Sequence, residues 1–356
     1  MESKVYSLIE PYKIKEVIEE RKIKEGWALV QSKMGSICHA DLRYFTGSRA
    51  PEVLKEKLPM ALIHEGIGEV YETNNKNLKK GDRVIIVPNI PGRIFNKQEE
   101  NETDKYSREG QFMGSGYNGI SQSIIAHPVE NLIKIPNEIP DEIAVLGEMQ
   151  SVSISAIREH ENIFSDPNLE IAVIGDGPVG FFAAAYLKYK YGLPSKRLTV
   201  FGADENKLKA FDFTNTDNSL TSDLSKYDST FDVIIEATGG KFAEDAINQA
   251  IDMLDFKGHL ILMGVSEELV PVNTRDVLEK GLSIFGSSRS TVEDFKEFIE
   301  LLKKSEKYSE ILSRILPDTI RLVKNDKDFA NTLLYAAETP HWNKIIMEFD
   351  WESEEK

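Results

Sequence analysis

Between residues 171 and 286 the chain alternates short apolar segments with helical stretches, and this alternation constrains the fold more than any other feature. The segments are Ile171-Ala-Val-Ile174, Leu198-Thr-Val-Phe201, Asp232-Val-Ile-Ile-Glu-Ala237, Leu260-Ile-Leu-Met-Gly-Val265 and Leu282-Ser-Ile-Phe-Gly286. Apolar strands of four to six residues, separated by helices, require a parallel sheet covered on both faces, a doubly wound α/β domain. Directly after the first segment stands Gly175-Asp-Gly177-Pro178-Val179-Gly180, followed by a helical pattern. In that order, Gly175 permits the tight turn, Gly177 lets backbone approach a pyrophosphate, and Gly180 lets the helix pack on the strand. The helix start adds N–H donors and a positive dipole end, so the domain is expected to bind a dinucleotide.

The rest of the chain has a different texture. Trp27 to Met34, Ile67 to Glu72, Arg83 to Pro88 and Ile120 to Ala126 read as short strands separated by Gly, Pro and Asn, which suggests an antiparallel, barrel-like β domain. Between Pro88 and Gly119 lies a polar, acidic stretch expected to form a surface excursion. After Arg289 come a charged helix, a second helical stretch near Asp328 to Glu338 and a final strand, Lys344 to Phe349. A total of 356 residues suits two domains: residues 1–150 with 291–356 rejoining them, and residues 151–290 for the nucleotide. With 43 Lys plus Arg against 59 Asp plus Glu, the net charge of −16 argues against nucleic acid or an anionic membrane as partner. Cys38 is the single cysteine, so neither an intrachain disulfide nor a four-thiolate structural zinc can form. With no apolar leader segment and no run of about 18 apolar residues, the expected address is the cytoplasm.

Cofactor choice is read at the end of the second apolar segment, where NAD enzymes place an acid that accepts from the ribose 2′-hydroxyl. Here the segment ends at Gly202; Asp204 follows two residues later, and Lys207 is a candidate partner for a 2′-phosphate. The reading therefore favours NADP(H), and it expects Gly202→Asp to shift preference towards NADH. In the β region, Cys38 and His64, with Glu148 further on, offer one thiolate, one imidazole and one carboxylate. Those donors suit a three-ligand catalytic zinc with an open fourth position. Taken singly, a buried cysteine and a hydrogen-bonded histidine are the commoner roles.

The order Cys38-x-x-Asp41, His64-Glu65-Gly66, Gly81-Asp-Arg-Val84, Glu148 and Gly175-x-Gly177-x-x-Gly180 resembles the zinc-dependent medium-chain dehydrogenase/reductase family over nearly the whole chain. That resemblance implies a GroES-like β-barrel catalytic domain beside a Rossmann nucleotide-binding domain. It implies Cys38, His64 and Glu148 as zinc ligands, Glu65 as a neighbour that orients or exchanges onto the metal, and Asp41 as the carboxylate that fixes ligand geometry. It also places Pro178, Val179 and Ser288 with the glycines on the cofactor. Two departures stand out: the lobe that carries four cysteines in many members has none here, and Ala40 replaces the hydroxyl residue that relays the proton. Water on the metal, Glu65 or a substrate hydroxyl remain as routes for that proton.

A narrower resemblance lies in Asp41-Leu-Arg43-Tyr44-Phe-Thr-Gly47-Ser-Arg49, Leu58-Pro-Met-Ala-Leu-Ile-His64, Asn273-Thr-Arg275 and Gly286-Ser-Ser288-Arg289-Ser290. These phrases are similar to the ribulose-5-phosphate reductases, which use NADPH to make ribitol phosphate for CDP-ribitol and teichoic-acid or capsule synthesis. Guanidinium groups suit a sugar phosphate, so Arg43, Arg49 and Arg289 are the candidate anchors. The implied partners are a second copy of the chain, in a homodimer, and a cytidylyltransferase. Two other readings compete: a zinc polyol dehydrogenase acting with NAD on an unphosphorylated sugar alcohol, and a non-catalytic relative that binds NADPH.

Overall fold

In the computed structural model, which describes residues 1–95, 104–339 and 342–352, the five apolar segments pair with a sixth strand in one parallel sheet. Their order is Asn215–Asn218, Leu198–Gly202, Ile171–Ile174, Phe231–Glu236, Leu254–Leu262, Ser283–Gly286. This is the doubly wound order, whose reversal point beside Ile171–Ile174 opens a crevice at the carboxyl ends of the strands. Ile171–Ile174 is buried at every position, as a strand covered on both faces must be. The helix Pro178–Lys190 starts on proline, whose missing N–H costs nothing at a first helical turn, and buries the run from Gly180 to Leu187. Asn215–Asn218 carries no apolar pattern and was not anticipated; it sits at the sheet edge, where burial makes little demand.

The chain divides into two compact units. One comprises Met149–Arg289 and Lys304–Arg314, the other Met1–Glu148, Ser290–Lys303 and Ile315–Lys356. Lys304–Arg314, which the sequence reading puts with the terminal tail, is seated on the nucleotide unit through Tyr308 and Arg314. Tyr308 is fully buried with its ring 5.6 Å from Tyr189, and Arg314 donates to Ala210 O and Asp212 Oδ1 at 2.8 and 2.6 Å.

The other unit is built on a sheet ordered Leu132–Lys134, Arg83–Ile86, Glu65–Thr73, Trp27–Ser36, Ile346–Phe349, Arg321–Val323, with Ile124–Pro128 also on Trp27–Ser36. Pairing is antiparallel except between Arg321–Val323 and Ile346–Phe349. Ile346 lies opposite Ser36, so the last strand rejoins the first region. The strand expected from Ile120 begins only at Ile124; before it, Ser121 and Gln122 turn their side chains onto backbone carbonyls. An N-terminal hairpin, Glu2–Glu10 against Lys13–Glu20, was hidden in the sequence by its charge, although Val5, Tyr6 and Leu8 are fully buried. The acidic stretch after Pro88 is more integrated than a surface excursion: Asn89–Ile90 pairs with Gln111–Phe112, and Lys105 and Met113 are buried. Residues 96–103 of that stretch lie outside the described residues. No helix among the described residues is long and apolar enough to cross a membrane.

Candidate active site

The strand Trp27–Ser36 delivers Cys38 two residues beyond its end, at the N-cap of the helix His39–Phe45. Asp41, in the first turn of that helix, folds back: its Oδ2 accepts from the Cys38 backbone N–H at 3.0 Å. Its Oδ1 accepts from the Ile63 backbone N–H and lies 3.1 Å from His64 Nδ1. One fully buried carboxylate thus ties together the loops that carry the cysteine and the histidine. With the carboxylate as acceptor, Nδ1 holds the proton and Nε2 is left as the ligand atom. Ile63, immediately before His64, has φ of 71°, a left-handed conformation unusual for a β-branched residue. Such strain of about 1–3 kcal/mol persists where surrounding bonds over-determine it.

Cys38, His64 and Glu65 present donor atoms that all lie within 4.8 Å of one another. A soft thiolate, an imidazole and a carboxylate in one cluster suit zinc. Glu148, the other expected ligand, stands outside this group at the start of the helix Gly147–Arg158, yet it is buried and feels the charges of His64, Glu65 and Lys344. Burial, with Glu65 adding repulsion, pushes its carboxyl up to about 7. Burial alone would suppress the His64 cation, but the Asp41 carboxylate outweighs it and raises His64 well above its ordinary value.

Sequence reasoning missed Lys344. Its ammonium, on a buried side chain, donates to Glu65 Oε1 and to Ile37 O, each at 2.9 Å, and lies 2.8 Å from Glu65 Oε2. Burial works against its charge, but the Glu65 carboxylate prevails and holds the pKa above the usual lysine value. The pair fixes Glu65 beside Cys38 and His64.

Of the three expected phosphate anchors, two adjoin. Arg43 follows Cys38 by one helical turn, and its pKa is lowered by burial and then by the neighbouring Arg49 cation. Arg49 stacks over Tyr44 at 4.9 Å. Tyr44 OH lies 3.1 Å from Ser115 Oγ, to which Lys57 Nζ donates at 3.0 Å. Lys57, Tyr44 and Ser115 are therefore additions to the cluster; their separation along the chain concealed them. Arg289, exposed, with φ of 62°, ends the nucleotide unit next to exposed Ser288.

In the nucleotide unit, a Cβ at Gly180 would meet Gly175 O at 2.0 Å, whereas a Cβ at Gly177 would meet nothing within 4 Å. The turn is therefore closed against the strand on one side and open where a pyrophosphate would approach, ahead of Pro178 and Val179. Gly202 is tightly enclosed: its Cβ would lie 2.5 Å from Asp176 Cβ and 2.8 Å from Leu208 Cδ2. The expected effect of Gly202→Asp is thereby corrected, because position 202 has no room for an acid. Lys207 extends from the following turn, its Nζ 3.8 Å from Asp176 Oδ1.

Residues 24–137 match the alcohol dehydrogenase GroES-like domain, and residues 178–304 match the zinc-binding dehydrogenase domain. The chain is 36% identical over 301 residues to ribulose-5-phosphate reductase 1 of Staphylococcus aureus, covering 85% of this chain and 86% of that one. It is 32% identical over 352 residues to the ribulose-5-phosphate reductase of Bacillus spizizenii, covering 98% and 100%. Among solved structures, S. aureus TarJ in complex with NADPH superposes with a TM-score of 0.84 at 30% identity, covering 98% of this chain and all of that chain (100%).

Proposed function

The chain belongs to the zinc-dependent medium-chain dehydrogenases, and from that membership we propose that it reduces the C2 ketone of D-ribulose 5-phosphate to D-ribitol 5-phosphate with NADPH. The observation that carries this reading is the placement of Cys38, a member of the Cys38–His64–Glu65 cluster, at the start of the same short helix that carries Arg43, whose cation adjoins Arg49. Zinc would supply Lewis acidity at the carbonyl, and reduced nicotinamide the hydride. Cys38, His64 and Glu65 would hold the metal, with Glu148 the buried carboxylate beside them; Asp41 sets the His64 tautomer, and Lys344 pins Glu65 in its buried place. Arg43 and Arg49, joined by Lys57, hold the 5-phosphate, and the turn at Gly175, Gly177 and Gly180 receives the cofactor pyrophosphate, with Ser288 further along it. Named relatives that act on ribulose 5-phosphate, and one bound to NADPH, support the substrate and the cofactor. The protein works in the cytoplasm as a homodimer, and its product is activated by a cytidylyltransferase partner to CDP-ribitol for teichoic-acid or capsule polymer.

The test is a turnover assay with ribulose 5-phosphate, ribulose and xylulose 5-phosphate, each with NADPH and NADH, together with the zinc content of the protein and of Cys38→Ser. Ribulose 5-phosphate with NADPH should be used at least tenfold more efficiently than ribulose, because losing one partner of a desolvated charge pair typically costs about 2–5 kcal/mol. Cys38→Ser should lose zinc and turnover but keep its circular dichroism spectrum. Equal efficiency for ribulose and ribulose 5-phosphate would replace this reading with that of a polyol dehydrogenase.

A further inference from the structure

The space beside Gly202 is filled by a carboxylate that comes from a different turn. Asp176, inside the glycine-rich sequence after the first parallel strand, projects to the end of the second strand, where its Oδ2 accepts from the backbone N–H of Ala203 and of Asp204, both at 2.8 Å. Its Oδ2 would stand 2.8 Å from a Cβ at 202, so it lies where the strand-end acid of an NAD enzyme would project. Asp204, anchored by this bond, in turn accepts from the N–H of Asn206 and of Lys207. The short helix Glu205–Leu208, with Lys207 on it, is thus hung from Asp176 through two successive carboxylates.

We infer that Asp176 is a positioning residue for cofactor preference: it excludes an acid at position 202 and anchors the turn that presents Lys207 to the adenosine 2′-phosphate. This rests on the NADP(H) reading above. The sign of the effect follows from how the carboxylate is dressed. Two N–H groups and the Lys207 ammonium offset its charge, so its repulsion of a phosphate is reduced. The 3.8 Å separation from Lys207 Nζ, whose side chain is 39% exposed, is loose enough for the ammonium to turn to a doubly charged phosphate.

Calorimetric titration of the zinc-loaded full chain with NADPH and with NADH tests this without reference to turnover. The parent protein should bind NADPH at least tenfold tighter. Asp176→Ala should lose most of that ratio through weaker NADPH binding, with NADH binding changed less than about twofold, within ordinary surface-substitution limits. Asp176→Asn should keep the ratio, because its amide oxygen can accept the same two N–H groups. Lys207→Ala should lose the ratio too, and combining it with Asp176→Ala should cost nothing more, as expected of residues acting through one contact. Should Asp176→Ala fail to fold, Asp176→Ser, whose short hydroxyl cannot span both N–H groups, is expected to show the same loss. A preference that survives Asp176→Ala or Asp176→Ser, an equal loss for both cofactors, tighter NADPH binding, or a loss in Asp176→Asn as large as in Asp176→Ala would overturn the inference while leaving the NADP(H) reading in place. A parent protein with no preference for NADPH sinks that reading, and the inference with it.

Discussion

Lys344 and Glu65 form the most exacting contact in the catalytic unit, since both side chains are almost wholly removed from water and are 4% and 0% exposed. Desolvating two charges costs several kcal/mol each, and their attraction repays this only while both are present. Lys344→Met leaves Glu65 as a buried anion without its cation, and it should lower unfolding free energy by about 3–5 kcal/mol. Urea unfolding of the metal-free protein measures the loss, and Glu65→Gln combined with Lys344→Met should recover much of it. A loss below about 1 kcal/mol would place the pair among weak surface bridges instead. Cys38, Asp41, His64 and Glu65 were legible in the sequence because each pair falls within one loop or one helical turn, where side-chain type and spacing carry the chemistry. Lys344 was not, since it reaches Glu65 across 279 residues and has no local spacing to mark it. Lys57 and Ser115 were concealed likewise, being 58 residues apart. Asp176 shows the opposite failure: its place in a familiar glycine pattern drew attention to the glycines and away from the side chain between them.

Strands buried on both faces were the legible elements, because continuous apolar runs such as Ile171–Ile174 leave few other structures open. The hairpin Glu2–Glu10 and Lys13–Glu20 was not, since one face meets solvent and its charged residues dominate the composition. Ile124–Pro128 is intermediate: its existence was readable, its start was not, and it carries an unread feature in His127. That imidazole is 1% exposed, and its Nε2 lies 2.9 Å from Val87 O, a single bond that does not offset burial; burial holds its pKa down at about 4. The folded value is depressed below the unfolded value of about 6.5, so the unfolded chain binds the proton first. The stability contribution is therefore complete above pH 6.5 and is lost as pH falls from about 6.5 towards 4, amounting to about 3 kcal/mol in full. His127→Gln should be less stable at neutral pH but should show a flatter decline in its urea midpoint between pH 7 and 4.5. Parallel declines for parent and variant would assign the acid sensitivity to other groups.

At the scale of the whole molecule, a charge of −16 opposes the very substrate that Arg43, Arg49 and Lys57 are arranged to hold. The two effects differ in range. Spread over a protein of this size, whose radius of gyration is about 20 Å, that charge repels a doubly charged phosphate by on the order of 5 kcal/mol in pure water. Screening removes nearly all of this, because the Debye length falls from about 30 Å at 0.01 M salt to about 10 Å at 0.1 M. Attraction to cations a few ångströms away in a partly buried site is screened much less over the same interval. Salt should therefore relieve the long-range repulsion before it weakens the anchor. With NADPH held saturating, kcat/KM for ribulose 5-phosphate should rise several-fold between 10 and 100 mM sodium chloride, while kcat/KM for uncharged ribulose stays flat. Replacing Lys57 by Ala should lower the whole curve for the phosphorylated sugar without altering its upward slope, since the slope belongs to the molecule and the height to the site. A curve that falls from the lowest salt would mean that local cations already dominate the encounter, and the opposition between global and local charge would be refuted.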